Sequence, residues 1–186
     1  MKKYLAFGFL FAALMITPLC LWAHPHMFFT STEEFVWKNG RLDGCWEEWT
    51  FDSYFSADII YGHDVDGDGV FSKAETENVY NYAFINLKNY HYFTFIRQGN
   101  ERFNPTGVSH FSARQKDGLL IYRFYIDLSS YDADVLYFAV YDYTYFCDVR
   151  YPDTNPVKLT VESQSSSDKN KSINPKYQII ENKDYP

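Results

Sequence analysis

Twelve consecutive residues, Asp64-Val65-Asp66-Gly67-Asp68-Gly69-Val70-Phe71-Ser72-Lys73-Ala74-Glu75, restrict this chain more than any other stretch of it. Carboxylates stand at positions 1, 3, 5 and 12 of the run, with glycine at position 6, the spacing of an EF-hand calcium loop. Calcium takes about six to eight hard oxygen ligands at roughly 2.3–2.6 Å. Asp64, Asp66, Asp68 and Glu75 offer carboxylate oxygens, Val70 a backbone carbonyl, and Ser72 a hydroxyl or a bridging water. Without a cation the four carboxylates repel one another. The motif needs a helix on each side. Such loops ordinarily pair through position 8, and no second acidic loop occurs in the chain. Phe71 is therefore expected to pack on the host domain. A rigid unpaired loop suits a structural ion better than a calcium sensor.

The flanks agree with a helical insertion. Asp52 or Ser53 is a candidate N-cap for a first helix carrying Tyr54, Phe55, Ile59 and Ile60. A second helix is expected from 72 to 87, carrying Ala74, Val79, Tyr82, Ala83 and Leu87. The rest reads as β. Segments 27–37 and 41–50 flank Asn39-Gly40, a strong hairpin signal. Strands are also expected at 92–97, at 108–114 and 119–128 around Asp117-Gly118, at 134–149 and at 157–163. The fold class is mainly β with an α-helical insertion (α+β). The architecture expected is an antiparallel β-sandwich over 24–163 with the EF-hand inserted at about 52–88. Aromatic residues make up 20% of the chain. Tyr137, Tyr141, Tyr143 and Tyr145 recur at every second position and are expected on one face of one strand. They either pack across strands or form an exposed stacking face for glycan or protein.

The first 23 residues read as a signal peptide: Lys2 and Lys3, an apolar run over 4–19, and Ala23 at the cut. Pro18 and the shortness of the run argue against a membrane anchor. Lipoprotein anchoring at Cys20 is the weaker match, because Leu19 stands where a small residue is required. The expected location is the periplasm or another exported compartment. A formal net charge of −7 argues against nucleic acid and anionic membrane as partners. Residues 164–186 are expected to form a flexible tail. Export permits a disulfide between Cys45 and Cys147; the alternative is two separate buried thiols.

His24-Pro25-His26 is the second cluster of chemical interest. Cleavage after Ala23 would give His24 a free α-amino group, with an ordinary pKa of about 7.7–8.0, beside its own imidazole, and His26 adds a second ring. Nitrogen ligands of this kind suit zinc, nickel and copper. Pro25 lacks an N–H, which blocks a copper site built from successive deprotonated amides. The alternative is that both histidines merely begin the first strand. His63, His91 and His110 read as structural. No Ser-His-Asp order, phosphate-cradling glycine loop or CxxC pair stands out, and Glu47 and Glu48 fall on opposite faces of a strand. The chain reads as non-enzymatic.

Four segments resemble the motifs of one family: Ala23-His24-Pro25-His26, Trp49-Thr50-Phe51-Asp52-Ser53-Tyr54, Tyr92-Phe93-Thr94 and Tyr141-Asp142-Tyr143-Thr144-Tyr145. It is a family of periplasmic proteins of unknown function, described as a component of an uncharacterised ABC-type transport system and often found beside nickel/cobalt-type permeases. The resemblance covers most of 23–163. It implies an exported protein tied to transition-metal transport, with a membrane permease as partner. It also implies that His24 and His26 bind Zn2+, Ni2+, Co2+ or Cu2+, with Asp142 as a third ligand. A copper oxidase using a histidine brace is a further reading, and it needs another histidine close by. The chain departs from the family pattern at His91, where an acidic residue is expected, and in its Ser/Lys-rich tail.

Overall fold

The computed structural model describes residues 26–132, 134–162 and 174–180. Two sheets share the β residues. The larger is six-stranded, built around β1 (Met27–Lys38) and β2 (Arg41–Phe51). Asn39 and Gly40 both have positive φ, 55° and 75°, the backbone a two-residue hairpin of right-handed twist requires. Outward from β2 come β6 (Leu119–Asp127) and β5 (Ser109–Lys116), both antiparallel. On the other side β1 is flanked by β8 (Cys147–Arg150) and β9 (Val157–Glu162). The smaller sheet has the order β4 (Glu101–Phe103), β3 (Thr94–Gln98), β7 (Leu136–Val140).

Alternation along β2 sends Cys45, Glu47, Trp49 and Phe51 to the buried face. Trp49 is the hub: it stacks on Phe29 at 4.6 Å and meets the edge of Phe124 at 4.9 Å. The two sheets meet through Phe35 and Phe138, edge to face at 5.2 Å, and through Thr94, whose hydroxyl lies 2.7 Å from Glu47 Oε1. Between β2 and β3 runs the helical segment. It consists of α1 (Ser53–His63), α2 (Lys73–Val79), a π turn (Tyr80–Phe84) and a 3-10 stretch (Ile85–Phe93). Buried Ser56 fixes α1 to the sheet, its hydroxyl donating to Phe51 O and accepting from Leu120 N.

The fold corrects several expectations. The main sheet is mixed, not antiparallel, because β8 and β9 both run parallel to β1. The second helix is not regular to Leu87: a wider turn at Tyr80–Phe84 brings Phe84 against Phe111, Tyr122 and Phe124 at 4.3, 5.7 and 5.1 Å. Burial of that ring outweighs the loss of regular helix geometry. The chain then turns through three left-handed residues, His91, Tyr92 and Phe93, with φ 58°, 52° and 53°. The strand expected over 134–149 is two strands. Asp142 accepts the backbone N–H groups of Thr144, Phe146 and Cys147, so a side chain takes donors that a continuous ladder would need. Tyr145 is left-handed in this turn (φ 60°). Tyr137, Tyr141, Tyr143 and Tyr145 therefore do not share a strand face.

Cys45 and Cys147 are both free and buried. Cys45 lies opposite Phe35 and Cys147 opposite Met27. At about 3.3 Å per strand residue, those β1 positions are roughly 26 Å apart, several times the reach of a disulfide. The two thiols are separate core residues. Residues 1–25 and 181–186, with the expected signal peptide, Cys20 and His24, lie outside the described residues, as does most of the expected tail. Residues 174–180 have no regular secondary structure. Among the described residues no helix is long and apolar enough to cross a membrane.

Candidate metal centres

The acidic run lies between α1 and α2. Asp52 caps α1, its Oδ1 accepting Tyr54 N and Phe55 N, and its Oδ2 accepts Phe28 N of β1. At the far end His63 Nδ1 lies 2.8 Å from Asn78 Oδ1, joining the last turn of α1 to α2. Ser72 caps α2 in a reciprocal box: its hydroxyl accepts Glu75 N, and Glu75 Oε2 accepts Ser72 N at 2.9 Å. Glu75 Oε1 accepts Val65 N at 2.6 Å, closing the loop across its base. Hydrogen bonds from Ser72 and Val65 hold the Glu75 carboxyl below its usual range.

Within the loop the side chains of Asp64, Asp66 and Asp68 gather. One oxygen from each lies within 4.8 Å of the others. Asp64 Oδ1 accepts Gly67 N, Asp66 Oδ1 accepts Asp68 N, and Asp68 Oδ1 accepts Val70 N. Gly67 and Gly69 supply the positive φ of the turns, 69° and 83°. Phe71 leaves the loop and joins the core at 8% exposure. One partner comes from a distant strand: Gln115 of β5 donates its Nε2–H to Asp64 Oδ2 at 2.7 Å. Sequence inspection misses Gln115, since a lone Gln 51 residues away carries no local signal.

Of the other expected residues, His26 lies just before β1 and Asp142 in the turn between β7 and β8. His26 donates its backbone N–H to Phe146 O at 2.8 Å, and its ring lies 5.2 Å from that of Phe146. Phe146 N is in turn held by Asp142 Oδ2 at 3.0 Å. The resemblance motifs around His26 and Tyr141–Tyr145 are thus neighbours in space. Burial raises the Asp142 carboxyl, but hydrogen bonds from Thr144 and Cys147 outweigh it and leave the group below its usual range. Both Asp142 oxygens already take two donors, so metal ligation would cost it part of that set. Around this turn Tyr143, Tyr145 and Phe146 are about half exposed, and Tyr141 stacks on Phe95 at 4.1 Å. Tyr137 lies under the Arg97 guanidinium at 3.6 Å. His91 is turned toward Phe95.

A small mainly β domain of two sheets, interrupted by a helical segment that carries an acidic loop, is the class the geometry defines. A family model for proteins of unknown function, DUF1007, matches residues 9–185, and the chain belongs to that family. It is 34% identical over 105 residues to an uncharacterized 15.5 kDa protein from the trpE 3′ region of Spirochaeta aurantia, a match spanning 55% of this chain and 75% of the relative. No solved structure matches the chain.

Proposed function

We propose that this is an exported, calcium-stabilised metal-binding accessory protein of a transition-metal transport system, acting without catalysis. The observation that carries it is the convergence of the Asp64, Asp66 and Asp68 carboxylates within 4.8 Å, at the charge density a divalent ion neutralises. We read the segment from α1 through α2 as a single EF-hand, and the two-sheet packing as a sandwich. Asp64, Asp66, Asp68 and Glu75 would hold calcium with Val70 O and Ser72, and the ion would supply positive charge that fixes the loop. His24 and His26 are the proposed ligands for zinc, nickel, cobalt or copper. Asp142 is the proposed third ligand, and it also folds the turn whose Phe146 carbonyl accepts the His26 backbone N–H. A membrane permease is the proposed partner, and export by cleavage after Ala23 the proposed route.

Two titrations test this. In the first, melting is followed as calcium chloride is added to chelator-treated protein. A rise in Tm of several degrees, abolished in Asp64→Asn/Asp66→Asn, supports the calcium site; an unchanged Tm refutes it. In the second, calorimetry of the processed protein with each transition metal should show submicromolar binding that disappears in His24→Ala/His26→Ala. No binding of any of them refutes the transport reading and leaves the calcium reading standing. The half-exposed Tyr143, Tyr145 and Phe146 favour one second reading, a calcium-stabilised module that recognises glycan or protein at this aromatic turn.

A further inference from the structure

Glu33 of β1 and Glu47 of β2 face each other across the central strand pair. Both are buried, at 3% and 0% exposure. No cation answers them among the described residues. Arg114, Arg123 and Lys158 pair instead with Glu34 and Glu48, on the opposite face of the same strands. The buried titratable side chains on the inner face include Cys45 of β2, Tyr92, Tyr122 of β6, Cys147 of β8 and Tyr151 beyond β8. Burial pushes all of them above their ordinary range. The smaller sheet presents Thr94.

Counting hydrogens at Thr94 bears on the state of Glu47. Thr94 Oγ1 lies 2.7 Å from Glu47 Oε1 and 2.9 Å from the carbonyl oxygen of Tyr92. A hydroxyl has one hydrogen, and a carbonyl only accepts. When that hydrogen serves Tyr92 O, the contact with Glu47 needs a hydrogen on the glutamic acid. Glu47 Oε2 meanwhile accepts the indole N–H of Trp49 at 2.9 Å. With Glu47 neutral, the chain Trp49 to Glu47 to Thr94 to Tyr92 has a donor and an acceptor at every link. With Glu47 ionised, one buried acceptor loses its partner, which is costly at such a site.

We propose that Glu47 is a neutral carboxylic acid whose proton latches the smaller sheet to the main sheet, and that Glu33 opposite it makes this latch sensitive to pH. The latch holds the left-handed corner at His91–Phe93. Phe93 O accepts Tyr141 N at 2.8 Å, at the head of the Asp142 turn. Glu33 accepts Ser31 Oγ–H at 2.6 Å, while its other oxygen is buried without a partner. Burial pushes its carboxyl up to about 7, against the Ser31 hydrogen bond. A carboxyl raised in this way stays protonated in the folded protein after the unfolded chain has released its proton. The Glu33 contribution to stability therefore falls as pH rises from about 4.5 to about 7, then levels, and a neutral Glu47 adds to the fall for as long as it keeps its proton.

The test uses the full chain in saturating calcium chloride, so that titration of the acidic loop does not intrude. Glu47→Gln keeps both hydrogen bonds of a neutral acid, with its amide nitrogen donating to Thr94 and its oxygen accepting from Trp49. Its Tm at about pH 5 should lie within roughly 2 °C of wild type. A loss of roughly 8 °C or more would mean that Glu47 is an ionised double acceptor, and would overturn the proposal. Infrared spectra of the wild-type protein at about pH 9, above the range in which Glu33 titrates, should carry the C=O stretch of an un-ionised carboxyl group, missing in Glu47→Gln; its absence from wild type also overturns it. Between about pH 5 and about pH 8 the wild-type Tm should fall by at least roughly 5 °C, and Glu33→Gln should lessen the slope between about pH 5 and about pH 7 while leaving the part due to Glu47. A wild-type Tm constant over that range would overturn both the neutral Glu47 and the pH sensitivity assigned to Glu33.

Discussion

Asp52 shows how one side chain settles a junction. Its carboxylate caps α1 and also holds the backbone of Phe28 at 2.9 Å, so the helix start and the head of β1 share an anchor. Asp52→Ala should lower stability by about 1–2 kcal/mol, the cost of a lost cap, read as a fall in chemical denaturation midpoint. Asp52→Asn should recover a large part of it. Gly44 is a second such position, for the opposite reason: a Cβ there would overlap Tyr125 and the carbonyl of Ile126. Tyr125 is tied down by the hydroxyl it donates to Asp43, so Gly44→Ala cannot be absorbed by a ring swing and should destabilise more than Asp52→Ala.

At the level of elements, the outer face of the main sheet is held by charge. Glu34 of β1 accepts Lys158 Nζ and Thr160 Oγ1 of β9 through Oε1, and the Arg123 guanidinium of β6 through Oε2. Burial raises its carboxyl, but these partners outweigh that and hold it down at about 2. A depressed carboxylate contributes stability above its ordinary value near 4.5 and loses it as pH falls toward 2. Glu34→Gln should therefore shrink the loss of Tm between about pH 4.5 and pH 2, opposite in direction to the effect of Glu33 on the other face. Gln115 links β5 to the acidic loop through Asp64. Under the calcium reading, Gln115→Ala should weaken calcium binding several-fold by freeing a ligand carboxylate, while calcium-saturated Tm changes little.

Over the whole molecule, the two thiols should report folding. Burial pushes Cys45 and Cys147 well above their ordinary range, and a thiol held neutral is a poor nucleophile. Both should react with a disulfide reagent only on denaturation, and non-reducing mass spectrometry should find each of them reduced. The first hairpin, α1, the acidic loop and the β5/β6 hairpin were legible because each is written in local chemistry: Asn39-Gly40, the Asp52 cap, the carboxylate spacing, Asp117-Gly118. The face assignment of Glu47 and Glu48 was legible too, from strand alternation. That Glu47 is the member that lies inward, against Thr94 of another sheet, was not, because 47 residues separate the partners. The alternating tyrosines of 134–149 misled for the same reason: Asp142 collects backbone donors and breaks the strand, an outcome that depends on geometry rather than period. Local propensities and ligand spacing thus determine what each segment can be, since their physics acts over a few residues. Which strands run parallel, how far apart the thiols lie, and where a proton is buried are decided only when distant segments compete for the same donors and the same core.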